Sequence, residues 1–151
     1  MTPFNHFTSK ARDAIRRAHE LAIERGQNQV NSLHLATALI LQEESVIFSI
    51  FDVLEVDTTL LTDSLLEAIE QPETSTVLSP SYQIYLTPDL AQVLEQSAKV
   101  ASALGDEFVS VEHLLAALLD VESDARQVFL RFRLTKDIVL KVMTQDATVQ
   151  A

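Results

Sequence analysis

Residues that could perform chemistry are scarce in this chain of 151 amino acids. There is no cysteine, which excludes a thiolate metal site and a cysteine nucleophile. There are four histidines, and no two of them have the i,i+4 spacing that places two zinc ligands on one face of a helix. Both glycines are isolated, so no glycine-rich loop can cradle a nucleotide phosphate. The sequence therefore predicts a chain that is not an enzyme by itself and binds no metal or cofactor.

Two of the histidines occupy matching positions. His34 and His113 lie 79 residues apart, and each opens an apolar segment that is predicted to be a helix. Either imidazole could act as a metal ligand or as a base. The favoured alternative is that each ring bonds to the backbone of its own repeat, because duplication of one ancestral unit explains the matching positions by itself.

An internal repeat relates the two halves of the chain. With residue 8 aligned to residue 87, nine positions between residues 8 and 43 are identical to the positions 79 residues later. Such agreement is hard to obtain by chance, so the chain is predicted to contain two related units. The identical pairs are Thr8 and Thr87, Ala22 and Ala101, Gly26 and Gly105, Val30 and Val109, His34 and His113, Leu35 and Leu114, Ala38 and Ala117, Leu39 and Leu118, and Glu43 and Glu122.

Each unit has the signals of four helices. Thr8 and Thr87 are typical N-caps, and Gly26 and Gly105 suit the left-handed residue that ends a helix. Apolar residues recur at helical spacing after each cap, and the short, strongly apolar segment 46–51 is expected to be a largely buried third helix. The predicted fold is a single all-α domain of eight helices, arranged as two four-helix repeats about a pseudo-twofold axis.

The boundaries of the repeats follow from the same pattern. The first repeat is predicted to span residues 8–70 and the second residues 87–143. Residues 71–86 are rich in Ser, Thr and Pro, which favours an extended linker. Residues 144–151 are expected to fray, as chain ends often do.

The charge distribution narrows the choice of partners. The net charge is −11, and eleven Asp and Glu but no Lys or Arg lie between Arg25 and Lys99. Nucleic acids and anionic membranes bind clustered cations, so both are poor candidates. No apolar run reaches the ~18 residues of a membrane span, and the N-terminus lacks the layout of a signal peptide. Since the lack of cysteine also fits a reducing compartment, a cytoplasmic protein is predicted.

The most specific sequence signal is carried by two matching segments. They read FTSKARDAIRRAHELAIERGQNQVNSLHLATAL and LTPDLAQVLEQSAKVASALGDEFVSVEHLLAALL. Both contain the capping Thr, the Gly that ends the first helix and the His-Leu pair that opens the second. In these features the chain resembles the two Clp-N repeats that open the Clp-type AAA+ chaperones. The resemblance covers roughly residues 4–143 and is nearest to ClpB- and ClpC-like members.

The resemblance implies a module that receives unfolded or aggregated protein substrates, or adaptor proteins, for an ATPase ring that threads polypeptide chains. The alternative is a free-standing Clp-N protein that docks on a Clp protease or chaperone ring as an assembly or regulatory subunit. Continuation of the coding sequence into a nucleotide-binding domain would distinguish the two. An unrelated helical scaffold is a third alternative, and it requires the repeat to be accidental.

The resemblance also implies a peptide-binding surface. The Thr, Asp and Glu of a polar patch in ClpB-like members match Thr8, Asp106 and Glu112. Val100 and His113 are expected in an adjoining apolar groove, where the carboxylates would bind backbone amides or basic side chains of an extended peptide. For the three polar residues the structural alternatives are an N-cap, a solvated loop acid and an acid that neutralises the helix dipole.

ClpC-like members use one glutamate in each repeat to recognise phosphorylated arginine. Only Glu112 is present here, because the position in the first repeat is occupied by Leu33. The resemblance therefore favours the ClpB-like surface over a full pair of phosphoarginine sites.

Overall fold

The computed structural model describes residues 6–27, 29–42, 45–69 and 85–150. These residues form eight helices and two very short strands, which confirms the predicted all-α class. The helices are α1 (Ser9–Glu24), α2 (Ser32–Leu41), α3 (Val46–Val53), α4 (Thr58–Ile69), α5 (Pro88–Ala103), α6 (Val111–Asp120), α7 (Asp124–Arg131) and α8 (Lys136–Gln150). The strands are β1 (Gln29–Val30) and β2 (Tyr85–Leu86).

The predicted caps define both ends of the first helix in each repeat. The hydroxyl oxygen of Thr8 accepts from the backbone N–H three residues later at 3.2 Å, and Thr87 does the same at 3.4 Å. Each bond satisfies an amide that has no partner within the helix. The helices are followed by Gly26 and Gly105, whose φ angles are +69° and +77°, where a residue with a Cβ atom is strained.

The repeat continues through all four helices of each half, with one change of spacing. α2 begins at residue 32 and α6 at residue 111, which are 79 apart, whereas α3 and α7 begin at residues 46 and 124, which are 78 apart. Glu55 and Arg133, which follow these third helices, are also 78 apart and both have positive φ. The second repeat therefore lacks one residue between its second and third helices, which the constant offset of 79 does not predict.

Parallel backbone pairings join the repeats in a reciprocal way. β1 of the first repeat pairs with β2 before the second, so that Val30 lies opposite Leu86. Phe7, just before α1, pairs in parallel with Val109, just before α6. When each residue is replaced by its equivalent in the other repeat, the pairing of Val30 with Leu86 becomes the pairing of Val109 with Phe7. A pseudo-twofold axis would produce this pattern. Residues 85–86 of the predicted linker thus form a strand whose backbone groups are satisfied by β1, while residues 70–84 lie outside the described residues.

α2 and α6 lie at the centre of the domain. Every residue of α2 from Ser32 to Ile40 is buried, and the helix packs against α1, α4 and α6. Leu39 and Leu118, at matching positions of α2 and α6, are both fully covered. The hydroxyl oxygen of Ser32 accepts from the backbone N–H of Ala125 at 3.3 Å. Burial of apolar side chains from both central helices therefore makes one core out of the two repeats.

α3 is less buried than its composition predicts. It packs against α6 and α8 with one face, and its other face, which also carries apolar residues, is left in solvent. The expectation that segment 46–51 is largely buried is therefore wrong for the outer side. The buried residues are Ile47, Ile50 and Phe51, and the exposed apolar residues are Val46, Phe48 and Val53.

The last helix is longer than the sequence predicts. α8 extends to Gln150, beyond residue 143, where the second repeat is predicted to end. No Gly or Pro follows Lys136, so nothing in the local sequence stops the helix. Val139 and Val142, in the first half of the helix, are buried where it packs on the domain.

Within the described ranges, no single helix is long and apolar enough to cross a membrane. α2 and α3 together meet the criteria of length and composition, but they are bent by 91° relative to each other. α2 is also the buried central helix, and core helices of this kind meet the same criteria.

Candidate functional site

Four of the five predicted site residues lie in the link between α5 and α6 or beside it: Asp106 is in the link, Glu112 and His113 are in the first turn of α6, and Val100 is in the last turn of α5. At its start Gly105 adopts positive φ, and the N–H of Asp106 donates to a carbonyl in the last turn of α5 at 2.8 Å. These features close the end of α5 and turn the chain away from its axis. Val109 then enters the core and pairs with Phe7, which fastens the link beside the start of α1.

Thr8 lies next to this link through its backbone. Its N–H donates to the carbonyl of Val109 at 2.8 Å, while its side-chain oxygen caps α1. The hydroxyl is thus occupied by the helix terminus, which was the structural alternative for this residue. Thr8 positions the start of α1 against the link, and any contact with a ligand would share an oxygen that already accepts a hydrogen bond.

His113 is buried and does not line a groove, contrary to the prediction. Its Nδ1 accepts from the backbone N–H of Ser110 at 2.9 Å. The ring proton therefore lies on Nε2, which donates to Oδ2 of Asp106 at 2.7 Å. This position, the third in α6, turns the ring back onto the start of its own helix, so the side chain is used for capping.

His34 has the same arrangement in the first repeat. Its Nδ1 accepts from the N–H of Asn31 at 3.0 Å, and its Nε2 donates to Oε1 of Gln27 at 2.6 Å. Burial lowers the pKa of His34 to about 4, and the positive charge of Arg25 acts in the same direction. Both matching histidines therefore bond to the backbone of their own repeat, which confirms the favoured alternative.

Val100 is also buried, so its predicted place in a groove is wrong. It lies on the inner face of α5 with Val93, Ser97 and Ala101, all of which are buried. Residues at spacings of three, four and seven share one face of a helix, and on α5 that face is packed against α6.

The carboxylates of Asp106 and Glu112 remain accessible. Half of the Asp106 side chain is exposed, although one oxygen accepts from His113. Glu112 lies in the first turn of α6 and is partly exposed. Among the residues that the structure describes, no donor or cation is paired with its carboxylate. The helix dipole favours an acid at this position, and the carboxylate can also accept from a ligand.

Phe108 is a candidate site residue that the sequence motifs do not indicate. It lies in the same link, is 50% exposed, and replaces the Gln29 of the first repeat. The signal in the sequence that could have identified it is a large apolar residue in a short polar link, at a position that belongs to the apolar face of neither α5 nor α6. We call Thr8, Asp106, Phe108 and Glu112 the α6-end surface.

The α6-end surface combines an apolar ring with carboxylates on both sides of it along the chain. The ring can cover an apolar side chain, and the carboxylates can accept from peptide N–H groups or from Lys and Arg. In the described part of the chain there is no group of three or more His, Cys, Asp or Glu that could hold a metal ion. These groups can make noncovalent contacts with a polypeptide.

Comparison with known sequences identifies the family. The profile of the family described as the Clp repeat N-terminal domain matches residues 6–132, which is most of the chain. The chain belongs to the Clp N-terminal domain family. The chaperone protein ClpB of Bacillus anthracis is 31% identical to it over 138 residues, which cover 91% of this chain. The match covers only 16% of that ClpB, so this Clp N-terminal domain corresponds to a small part of its relative.

Solved structures show the same fold at lower sequence identity. The N-terminal domain of Hsp104 from Candida albicans has a TM-score of 0.74 and 21% identity, over 89% of this chain and 87% of that one. A ClpV N-domain solved in complex with a VipB peptide has a TM-score of 0.66 and 17% identity, over 86% of this chain and 81% of that one. The architecture of the Clp N-terminal domain is thus shared by members whose sequences have diverged widely.

Proposed function

We propose that this Clp N-terminal domain binds unfolded protein substrates or adaptor proteins through the α6-end surface and delivers them to an ATPase ring. The observation that carries the proposal is the exposed ring of Phe108, which lies along the chain between the accessible carboxylates of Asp106 and Glu112. Apolar and carboxylate groups together match a polypeptide segment, which presents apolar side chains, amides and cations. Membership of a family in which a ClpV N-domain holds a VipB peptide supports this assignment.

The proposed role requires weak, reversible binding, because a receiving domain must release its client to the ring. The α6-end surface consists of four residues from one link and two helix starts, so the area that it can bury is far smaller than the area buried in stable complexes. A small contact area of this kind suits a transient interaction. The domain itself is proposed to be non-catalytic and cytoplasmic, with ATP hydrolysis performed by the ring.

A titration of an unfolded protein tests the proposal. The probe is fluorescein-labelled α-lactalbumin that has been reduced and alkylated with iodoacetamide, and binding is followed by fluorescence anisotropy. Phe108→Ser should weaken binding about tenfold, the effect of losing one apolar anchor. Glu112→Gln and Asp106→Asn remove charge, and Asn at position 106 can still accept from Nε2 of His113. Both should weaken binding while leaving the thermal transition nearly unchanged.

The first repeat supplies the matched control. Gln29 occupies the position equivalent to Phe108 and is also exposed, so Gln29→Ser changes the corresponding link without removing an apolar anchor. This variant should bind like the wild type. Equal binding by Phe108→Ser and the wild type would exclude the α6-end surface, and a loss of binding that occurs only together with unfolding would leave these residues a purely structural role.

A further inference from the structure

A second surface with apolar character lies on the first repeat. Five residues of α3 face solvent, and we call them the α3 outer face: Val46, Phe48, Ser49, Asp52 and Val53. Three of the five are apolar, and Val53 is 61% exposed. None of them belongs to the α6-end surface.

The second repeat shows that this apolar character is not required by the fold. With the offset of 78 that relates α3 to α7, the equivalent residues are Asp124, Arg126, Gln127, Leu130 and Arg131. Three of these are charged, whereas α3 has one charged residue at the five positions. Both helices occupy equivalent places in their repeats, so a polar outer face is compatible with that place. The apolar side chains on α3 therefore need an explanation other than folding.

A cavity adjoins the α3 outer face. It lies between α3 and the start of α4, has a volume of about 410 Å³, and is lined by Phe48, Ser49, Asp52, Val56 and Thr58. This volume falls within the roughly 300–1,000 Å³ of ligand pockets in proteins. The cavity is open to solvent and offers space for one side chain, with the ring of Phe48 and the carboxylate of Asp52 in its lining.

The charges around the cavity select the partner. Asp52 is the charged residue in the lining, and residues 46–69, which form α3 and α4, contain five Asp or Glu and no Lys or Arg, although Arg133 lines a neighbouring pocket with Glu55 and Asp57. The negative potential of these carboxylates attracts a partner segment that carries Lys or Arg and repels an acidic segment.

We propose that the α3 outer face binds a basic amphipathic segment of another protein, with an apolar side chain in the cavity against Phe48 and a cation beside Asp52. This mode of recognition, in which the apolar stripe of a partner helix meets an apolar surface and its charged flanks fix the orientation, recurs among peptide-binding domains. The surface is additional to the proposed client site, since it uses other residues and a different helix.

A pair of designed peptides tests this proposal on the chain as it is. The probe is a fluorescein-labelled 14-residue amphipathic helix of Leu and Lys, and its partner has Glu in place of every Lys. The Leu/Lys peptide should bind in anisotropy titrations and the Leu/Glu peptide should not. Phe48→Arg should weaken the binding of the Leu/Lys peptide about tenfold, because it removes the anchor and adds a repelling charge.

Leu130→Arg is the matched control. Leu130 and Phe48 are 39% and 37% exposed, and both variants change the net charge by +1. Leu130→Arg should bind within about twofold of the wild type, because a single charge far from the contact has little effect. Val53→Arg on the same face provides a second test if Phe48→Arg melts at a lower temperature than the wild type.

Three results would overturn the proposal. Equal weakening by Phe48→Arg and Leu130→Arg would show that the peptide responds only to net charge. Equal binding of the Leu/Lys and Leu/Glu peptides would show that the charge of the partner does not determine recognition. Weakening by Phe108→Ser together with full binding by Phe48→Arg and Val53→Arg would place the peptide on the α6-end surface, which leaves the proposed client site standing.

Discussion

Acidification tests whether the buried capping histidine of the first repeat must stay neutral. His34 is almost completely covered, its Nδ1 faces the N–H of Asn31, and its Nε2–H is held by Gln27. Protonation would place a new Nδ1–H opposite the N–H of Asn31, so that two donors face each other, and would bury a positive charge in the core. Burial accordingly lowers the pKa of His34 from 6.5 to about 4.

The sign and size of the effect follow from linkage. Between pH 6.5 and 4 the unfolded chain takes up the proton and the folded chain does not, so stability is fully present above this window and falls as the pH falls through it. The complete pKa shift is equivalent to about 3 kcal/mol, of which about 2 kcal/mol is lost by pH 5. This is a substantial part of the roughly 5–15 kcal/mol that stabilises a typical domain.

The assay is urea unfolding followed by circular dichroism at pH 7, 6 and 5, for the wild type and for His34→Gln. Gln at the third helical position can still accept from the N–H of Asn31, as in a capping box, but it does not titrate. We expect the wild type to lose about 2 kcal/mol more than the variant between pH 7 and 5. The titration of surface carboxylates is common to both proteins and cancels in the comparison.

Two results would refute this reasoning. The first is an equal loss of stability in the wild type and His34→Gln. The second is an NMR titration of the folded protein in which His34 has its midpoint near 6.5. Gln27→Asp provides a further check, because a carboxylate beside Nε2 favours the charged ring and should reduce the loss on acidification.

Three further predictions concern the core, the turns and the absence of catalysis. Leu39→Ala and Leu118→Ala should each lower the free energy of unfolding by about 2–5 kcal/mol in urea titrations, because both side chains are buried. Leu60 is exposed, so Leu60→Ala should lower it by less than about 1 kcal/mol. A change as small as this at Leu39 or Leu118 would contradict their burial. Gly26→Ala and Gly105→Ala should each cost about 1–2 kcal/mol, since an added Cβ meets no atom within 4 Å but the positive φ is strained; unchanged thermal transitions would contradict this. The isolated domain should release no phosphate from ATP, and nucleotide binding at physiological concentrations would overturn that expectation.

The helices and their ends were determined by local sequence. The hydroxyl of Thr8 acts on an amide three residues away, and Gly26 is needed because of its own φ angle, so neither depends on the rest of the fold. The same holds for the rings of His34 and His113, which bond to the residue three positions earlier. Effects that act within one helical turn can be read from residue type and spacing, and the fold class follows from their repetition.

Tertiary packing decided which side chains face solvent. Val100 and Phe48 both lie on helices that the sequence predicts, but Val100 points into the core and Phe48 out of it. The reason is that a helix at the edge of the domain buries only the face that meets a neighbour, and the neighbours come from distant parts of the chain. The change of the repeat offset from 79 to 78 residues, between the second and third helices, likewise became visible only when the starts of the equivalent helices were known.

The α6-end surface likewise depends partly on the sequence and partly on tertiary packing. The resemblance to Clp-N repeats indicated Thr8, Asp106 and Glu112 as one polar patch. The sequence did not give the contact that brings Thr8 to the link, since the hydrogen bond from Thr8 to Val109 joins residues about 100 positions apart and depends on the packing of both repeats. The exposure of Phe108 was decided in the same way, because Val109 next to it takes the place in the core and leaves the ring in solvent.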